Sequence, residues 1–274
     1  GGMGTVYLAQ QESLDRQVAL KVLPHSFGLS AHSRRRFLEE ARALARVQHE
    51  HIVGIHRIVD DGDLLAFEME FIDGPSLQHV LDHLRRCRDT GTGPVTLQHV
   101  ADLLGLPAGN LGAPNLTQFF VRLGIKIGRA LGAVHGHGFV HRDIKPSNIL
   151  LRRNGEPVLA DFGLVRDSDP TRTLPTGFAG TPVYSSPEQL RGGEPTGPPT
   201  DVYSLAVTLY ECLTLAPPFA GRTTTDLLSR IESGRVPPLR ASAPQAPRDL
   251  ETITSHAMEL EPQRRYADGN ALAD

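Results

Sequence analysis

The sequence centres on the segment His141-Arg142-Asp143-Ile144-Lys145-Pro146-Ser147-Asn148. This segment holds an acid, a cation and an amide at fixed offsets, between short apolar runs at residues 139–140 and 149–151. Such a set of side chains can orient a hydroxyl group, neutralise a phosphate and hold a metal ion. A simpler alternative is a polar turn between two strands, which Pro146 and Asn148 would also suit. Other segments of the chain are needed to distinguish a catalytic loop from a turn.

Length and composition are those of an ordinary globular protein. The chain has 274 residues, of which 39% are hydrophobic and 22% are charged, enough for one large domain or two lobes. The formal net charge of −3 gives no electrostatic argument for nucleic acid, so we expect no nucleic-acid partner. The two cysteines, Cys87 and Cys212, match no metal-binding spacing and favour a reducing compartment. We therefore expect the domain to be cytoplasmic.

Glycines at the start of the chain precede a run that is typical of a strand. Gly1, Gly2 and Gly4 come before the β-branched and aromatic residues 5–9. Because glycine lets the backbone approach closely, such a turn can bring amide groups to a phosphate. A flexible terminus is the alternative, and three glycines alone do not decide between the two.

A lysine and a glutamate in the next two predicted elements form a candidate ion pair. Strict alternation over residues 17–23 places Lys21 on an otherwise apolar face of a strand, either as an edge protector or as a functional cation. In the helix predicted over residues 34–48, Glu40 lies one turn from Leu44 and borders the apolar stripe. A partly inward glutamate needs a cation, and Lys21 is the candidate.

Two further strands complete a small sheet. They are predicted over residues 52–59 and 64–72, with a hairpin turn at Asp61-Gly62. A break at residues 73–75 then leads into a helix over residues 76–88. The first part of the chain is thus a sheet with one helix, followed by a connector.

The middle of the chain contains an unusual segment and then a second candidate site. Residues 89–114 are rich in glycine, proline and threonine, with one short helical patch at residues 97–104. We interpret the segment as an insertion or a long surface loop rather than as a partner site.

Farther along, Asn148 and Asp161 lie next to two short paired strands. An amide oxygen and a carboxylate suit Mg²⁺, which keeps several waters and shares phosphate ligands.

A series of short segments now points to one family. In chain order they are Gly1-x-x-Gly4-x-Val6, Val18-Ala19-Leu20-Lys21, Glu40, His141 to Asn148, Asp161-Phe162-Gly163, Gly180-Thr181-Pro182, Ser186-Pro187-Glu188, Asp201-Val202-Tyr203-Ser204 and Arg265. With them the chain resembles the serine/threonine protein kinases, and most of all the eukaryotic-like kinases of bacteria. The resemblance implies an α+β, two-lobed protein-kinase fold, with a small β-rich N-lobe carrying one main helix and a larger, mostly helical C-lobe.

The same resemblance implies the domain organisation. We expect a single kinase domain over residues 1–274, cut from a longer protein at both ends. The N-lobe would cover residues 1–72 and the C-lobe residues 73–274, with the insertion at about 89–114. Membrane anchoring of the parent protein stays open.

The resemblance also assigns roles in a reaction that uses ATP and Mg²⁺. Lys21, fixed by Glu40, would hold the α- and β-phosphates. Asp143 would orient the substrate hydroxyl, and Lys145 would neutralise the transferred phosphoryl group. The metal ligands would be Asn148 and Asp161. The ATP-binding residues would be Gly1, Gly2, Met3, Gly4, Val6, Ala19, Lys21, Met69, Glu70 and Ile72.

Structural and regulatory roles follow from the same resemblance. Asp201 would brace the catalytic loop, and Glu188 would form an ion pair with Arg265. Arg142 is typical of kinases that are activated by a phosphate on a downstream loop, with autophosphorylation in trans within a homodimer as one route. The candidate phosphorylation sites are Thr171, Thr173 and Thr176.

Lys145 and Thr181 resemble the pattern of serine/threonine-specific kinases, which implies protein substrates with Ser or Thr acceptors. One alternative is a pseudokinase, a nucleotide-binding or scaffolding module without transfer. The presence of all five side chains that the transfer reaction would use argues against it: Lys21, Glu40, Asp143, Asn148 and Asp161. A small-molecule kinase of similar fold is the other alternative, and the segments 180–182 and 186–188, which suit peptide substrates, argue against that.

Overall fold

A computed structural model describes residues 4–23, 38–39, 41–42, 44–61, 64–91, 93–161, 182–192 and 196–274. Some of the predicted site residues lie outside these ranges, and their roles stay predictions: Gly1, Gly2, Met3, Glu40, Thr171, Thr173 and Thr176. Among the described residues, no helix has both the length and the apolar character needed to cross a membrane.

The N-lobe is built on a four-stranded antiparallel sheet in the order β1-β2-β4-β3. Its strands are β1 (Thr5–Gln11), β2 (Arg16–Leu23), β3 (Ile55–Asp61) and β4 (Leu64–Glu70). Lys21 on β2 lies opposite Val6 on β1 and Phe67 on β4. The lysine therefore occupies an inner strand, and the alternative of an edge protector does not apply.

The C-lobe is mostly helical and contains one short hairpin, formed by β5 (Ile149–Leu151) and β6 (Pro157–Leu159). Its helices are α1 (Leu77–Thr90), α2 (Leu97–Leu104), α3 (Leu116–Gly136), α4 (Pro187–Arg191), α5 (Pro198–Thr214), α6 (Thr224–Glu232), α7 (Leu239–Ser242), α8 (Arg248–Ala257) and α9 (Gly269–Ala273). Short 3₁₀ turns in the described chain lie at Glu12–Leu14, Ala108–Leu111, Pro146–Asn148, Pro182–Tyr184 and Pro262–Arg264.

Main-chain pairing joins the two lobes beside β6. Val53 N–H donates to Leu159 O at 2.9 Å, and Leu159 N–H donates to His51 O at 2.8 Å. The strand predicted over residues 52–59 therefore begins later, at Ile55, because the residues before it pair with the C-lobe instead of with the sheet.

The N-lobe helix, predicted over residues 34–48, is helical at residues 38, 39, 41, 42 and 44 among those described. Leu38 packs in the same buried cluster as Phe67 of the sheet, whereas Leu44 packs in a cluster with Val134 of α3. The apolar stripe of this helix therefore contacts both lobes.

Helices α3 and α5 form the centre of the C-lobe. The apolar stripe predicted for α3 is fully or almost fully buried, at Phe120, Leu123, Ile127, Leu131 and Val134. Glycines on α3 let neighbouring elements approach closely. A Cβ at Gly124 would lie 2.7 Å from Leu209 of α5, and a Cβ at Gly128 would lie 3.0 Å from the carbonyl oxygen of Gly269 on α9. Close packing of this kind leaves no room for larger side chains.

The segment predicted as an insertion or long surface loop, residues 89–114, is folded over much of its length. The helical patch at 97–104 is present as α2. Val100 and Ala101 are fully buried in the main C-lobe cluster, and Leu111 of the following 3₁₀ turn joins them. A surface-loop interpretation is therefore wrong here, because the segment contributes apolar side chains to the core rather than lying on it.

A buried ion pair holds helix α4 to a residue near the end of the C-lobe. Arg265 donates two hydrogen bonds of 2.8 Å to the two carboxylate oxygens of Glu188, and Thr200 donates a third to the same carboxylate. Burial alone would raise the pKa of Glu188, but the hydrogen bonds and charge of Arg265 outweigh burial and lower that pKa. The predicted pair is thus present, with both side chains almost fully buried.

Candidate active site

A buried carboxylate braces the catalytic loop from below. Asp201, in the first turn of α5, is fully buried. Its Oδ2 accepts from His141 N–H and its Oδ1 from Arg142 N–H, both at 2.7 Å. His135 Nδ1 accepts from Gly269 N–H, so its Nε2 carries the proton and donates to Asp201 Oδ2 at 2.9 Å. The brace predicted for Asp201 is therefore present, with three donors on one carboxylate.

His141 connects the catalytic loop to the strand that leads into Asp161. Burial lowers the pKa of His141, and the nearby carboxylates of Asp201, Asp143 and Asp161 oppose this only in part. A neutral ring has one donor and one acceptor nitrogen. Nδ1 accepts from Asp143 N–H at 3.3 Å, so Nε2 donates to Ala160 O at 3.2 Å. The imidazole thereby fixes the main chain of Asp143 relative to the end of β6.

The carboxylate of Asp143 is held by two side chains of its own loop. Its Oδ2 accepts from Lys145 Nζ at 2.8 Å and from Asn148 Nδ2 at 2.9 Å. Asn148 Nδ2 also donates to the main-chain oxygen of Asp143 at 2.8 Å. The structure therefore brings together the acid, the cation and the amide that the spacing predicted, with the carboxylate oriented before any substrate binds.

Lys21 reaches across the lobes to the second predicted metal ligand. Its Nζ donates to Asp161 Oδ1 at 2.9 Å, and only 11% of the lysine side chain is exposed. Asp161 has a φ of 56°, in the left-handed region that non-glycine residues seldom adopt. Such a conformation at a site residue is a common sign of a functional constraint. The predicted partner Glu40 lies outside the described residues.

Asn148 and Asp161 offer oxygen atoms that fit Mg²⁺. Ala160 N–H donates to Asn148 O at 2.8 Å, so the hairpin holds Asn148 next to the residue that precedes Asp161. The amide nitrogen of Asn148 donates to Asp143. Its amide oxygen accepts a long hydrogen bond of 3.4 Å from Ser147 Oγ, and its second lone pair is available to a cation. One amide oxygen and one carboxylate suit an ion that keeps several waters and shares phosphate oxygens.

Several predicted ATP-binding residues share one face of the N-lobe sheet. Val6 lies opposite Lys21 on the neighbouring strand, and Ala19 lies opposite Met69. Directly opposed residues point to the same side of an antiparallel sheet, as do residues two apart on a strand. Val6, Ala19 and Met69 therefore line the face that also carries Lys21, where Val6 leaves 51% of its surface exposed.

Gly4 is the one residue of the predicted glycine-rich loop that the structure describes. Its φ is 135°, and a Cβ at this position would lie 2.5 Å from Val22 O on β2. Both facts require glycine here. The main chain at Gly4 therefore has a conformation that no other residue type would adopt without strain.

The family model described as the protein kinase domain matches residues 1–273. The chain belongs to the protein kinase domain family. This membership confirms the family inferred from the ordered motifs, and it accounts for the two-lobed arrangement around Lys21, Asp143 and Asp161.

Proteins similar to this kinase domain include serine/threonine kinases of mycobacteria. Serine/threonine-protein kinase PknA of Mycobacterium tuberculosis is 33% identical over 280 residues, covering 100% of this chain and 58% of that protein. PknL of the same species is 34% identical over 273 residues, covering 99% of this chain and 61% of that protein. The chain thus spans less than two thirds of the length of these relatives. The crystal structure of the Mycobacterium tuberculosis PknI kinase domain superposes on this chain with a TM-score of 0.69 at 26% sequence identity. The superposition covers 100% of this chain and 89% of that one, and it confirms the predicted fold.

A cleft of about 370 Å³ opens beside the catalytic loop of the kinase domain. Its lining is Gln78, Lys145, Ser147, Val183, Tyr184, Glu211 and Pro217. Glu211 is buried, accepting from Arg85 with one oxygen and from Tyr184 Oη at 2.6 Å with the other. Burial, together with the Glu211 carboxylate, raises the pKa of Tyr184, so its hydroxyl stays protonated and donates. Sequence reasoning missed this cleft, because its walls come from separate parts of the chain.

Arg142 is anchored on two sides. Its Nε donates to Thr196 Oγ1 at 2.9 Å, and its carbonyl oxygen accepts from Gln189 Nε2 at 2.9 Å. Its φ of 64° is in the left-handed region, which costs about 1 kcal/mol for a residue with a Cβ. The threonines predicted to carry a phosphate for this arginine lie outside the described residues, so their role stays a prediction.

Proposed function

We propose that this kinase domain transfers the γ-phosphoryl group of ATP to serine and threonine hydroxyl groups of proteins. The observation that supports this most is the orientation of the Asp143 carboxylate, which Lys145 and Asn148 hold by hydrogen bonds of 2.8 and 2.9 Å. The names of the relatives PknA and PknL support the same reaction and acceptor class.

Phosphoryl transfer requires alignment of the reacting groups and neutralisation of charge, with little covalent help from the protein. In the proposed reaction, Asp143 accepts a hydrogen bond from the acceptor hydroxyl and points that hydroxyl at the phosphorus atom. Lys145, which already contacts Asp143, then faces the negative charge that moves between nucleotide and acceptor. Lys21 supplies a second cation from the N-lobe, positioned for the other phosphates through its contact with Asp161.

The oxygen atoms of Asn148 and Asp161 would hold Mg²⁺. A bound Mg²⁺ neutralises phosphate oxygens and helps to orient them. The contribution of the chain itself is to fix these two ligands. The hairpin contact between Ala160 and Asn148 sets their spacing, and the hydrogen bonds to Asp143 fix the direction of the Asn148 amide.

The cleft beside Lys145 is the candidate site for the acceptor polypeptide. Both carboxylate oxygens of Glu211 already have partners in Arg85 and Tyr184. A substrate arginine or lysine would therefore have to displace an internal ion pair to reach Glu211. We infer that this cleft favours small or uncharged side chains next to the acceptor residue.

Regulation by phosphorylation of the loop after Asp161 is part of the proposal. Arg142 would bind the phosphate, and transfer between two copies of the chain would supply it. The candidate acceptors remain Thr171, Thr173 and Thr176. For the domain we keep the proposal of a cytoplasmic location, and anchoring of the longer protein to a membrane stays a separate hypothesis.

Incubation of the full chain with Mg²⁺ and γ-labelled ATP tests the proposed function. We expect label in a protein acceptor and in the chain itself, on phosphoserine and phosphothreonine after acid hydrolysis, with no phosphotyrosine. Phosphopeptide mapping should find at least one of the three loop threonines modified. A chain that binds Mg²⁺-ADP but incorporates no label, alone or with an acceptor, would support the pseudokinase alternative instead.

A further inference from the structure

The link between the lobes lies along the β5–β6 hairpin. We call residues 70–76 the hinge segment. Leu151 N–H donates to Pro75 O at 2.8 Å, and Ser76 pairs with Leu150 in an isolated antiparallel bridge. A Cβ at Gly74 would lie 1.9 Å from Leu151 O, so only glycine allows this approach. The hinge segment is thus in main-chain contact with the first strand of the hairpin.

Two consecutive arginines of the hairpin contact acidic residues of the hinge segment. Arg152 donates from both terminal nitrogens to the two carboxylate oxygens of Glu70, at 2.5 and 3.1 Å. Arg153 donates to Asp73 at 2.6 Å. The first pair is two thirds buried, with side chains 35% and 32% exposed, whereas the second is open to solvent, with side chains 74% and 58% exposed. Only the first pair has the bidentate, shielded geometry that gives a useful interaction.

Glu70 is one of the residues that connect the two lobes. Its main-chain N–H donates to Gly54 O in the N-lobe at 2.8 Å, while its carboxylate is held by Arg152 of the C-lobe. Arg152 is itself fixed by the hairpin turn, because its N–H donates to Glu156 O and its carbonyl oxygen accepts from Gly155 N–H, both at 2.8 Å. A rigid turn therefore presents the guanidinium to the start of the hinge segment.

We propose that Arg152 is a positioning residue for nucleotide binding, acting through the carboxylate of Glu70. This inference rests on the proposed function and on the ATP-binding role predicted for Glu70 and Ile72, whose main-chain groups would meet the adenine edge. Holding the Glu70 side chain fixes the peptide groups that follow it. Without the clamp, the hinge segment samples orientations that do not match adenine, and binding has to select the competent one.

The expected effect is moderate and specific. Arg152→Ala should weaken Mg²⁺-ADP binding about fivefold, and Arg152→Lys about twofold to threefold, because lysine keeps the charge but not the two parallel hydrogen bonds. Arg153→Ala is the matched control, since it removes the neighbouring arginine from an exposed pair and should change binding by less than about twofold. If the pair acts as a unit, Arg152→Ala combined with Glu70→Ala should bind no more weakly than Arg152→Ala alone.

Calorimetric titration of the full chain with Mg²⁺-ADP, which cannot donate a γ-phosphoryl group, gives these affinities. Hydrogen exchange of residues 71–76 without nucleotide provides a readout that does not depend on activity, and exchange should be faster in Arg152→Ala than in Arg153→Ala. Unfolding curves identify any variant that fails to fold, in which case Arg152→Lys and Glu70→Ala carry the test.

The outcomes separate this inference from the proposed function. Weaker binding and faster exchange in Arg152→Ala, with Arg153→Ala unchanged, would support the clamp. Unchanged binding in Arg152→Ala, or equal weakening in Arg153→Ala, would overturn it while leaving the proposed function intact. A wild-type chain that binds no Mg²⁺-ADP would contradict the proposed function, and the nucleotide role of Arg152 would fall with it.

Discussion

Replacement of Asp201 by asparagine probes the brace under the catalytic loop with a change of almost no volume. The carboxylate accepts three hydrogen bonds, from the main-chain N–H groups of His141 and Arg142 and from His135 Nε2. An asparagine side chain has one acceptor oxygen and one donor nitrogen. In either orientation its amino group faces at least one of these three donors.

The size of the effect follows from this geometry. One buried N–H that loses its acceptor costs about 1–3 kcal/mol, and each surviving hydrogen bond loses charge assistance worth about 1 kcal/mol. With one bond lost and two weakened, we expect Asp201→Asn to lower the free energy of unfolding by about 3–5 kcal/mol, which is less than the stability of most domains. Transfer should suffer more than stability. The orientation that loses only one bond places the amino group against Arg142 N–H, which then no longer holds the left-handed backbone of Arg142. A 1 Å shift of catalytic groups can cost about 100-fold in rate.

Urea unfolding and the rate of phosphate transfer from Mg²⁺-ATP measure the two effects in the same preparation. Asp249→Asn is the matched control, because Asp249 is exposed on α8 and should change stability by less than about 0.5 kcal/mol. If Asp201→Asn loses less than about 1 kcal/mol and keeps transfer within about threefold of the wild type, the three-donor brace is not what positions the loop.

Three further predictions concern the C-lobe. Arg265→Ala should lower the free energy of unfolding by about 3–5 kcal/mol in urea titrations, because it leaves the buried Glu188 carboxylate without its cation. Because the pKa of Glu188 is lowered in the folded protein, the ion pair stabilises fully above the ordinary glutamate pKa of about 4.3. This stabilisation is lost as the pH falls through the lowered pKa of the folded state. Acid should therefore reduce the thermal midpoint more steeply in the wild type than in Glu188→Gln. Gly269→Ala should lower the free energy of unfolding by about 1–3 kcal/mol, because its Cβ would lie 2.3 Å from Gly128 O. Gly136→Ala is the control in the same unfolding assay and should be close to neutral, because its Cβ would meet no atom within 4 Å.

The catalytic loop could be predicted because its parts are local. Asp143, Lys145 and Asn148 lie within six residues, so any tight loop keeps them near one another. Asp161 joins them through a hairpin, and the sequence already placed Asn148 and Asp161 next to two short paired strands. Alternation on β2 likewise fixed the face on which Lys21 would lie.

The remaining features depend on contacts between distant parts of the chain. Arg152 meets Glu70 across 82 positions, and Arg85 meets Glu211 across 126, distances at which no periodicity links the residues. Composition misled the interpretation of residues 89–114, since glycine and proline typical of a loop flank a short helix whose apolar face enters the core. Both features depend on contacts in the folded protein, which local sequence preferences do not indicate.

The most direct test of the central claim is to measure transfer and nucleotide binding together in Asp143→Asn. In the proposed reaction this carboxylate contacts the acceptor hydroxyl, whereas other residues bind the nucleotide. We expect labelled phosphate incorporation from Mg²⁺-ATP to fall at least about 100-fold, while the Kd for Mg²⁺-ADP stays within about twofold of the wild-type value. Incorporation at the wild-type rate, or loss of nucleotide binding in parallel with transfer, would contradict the role assigned to Asp143.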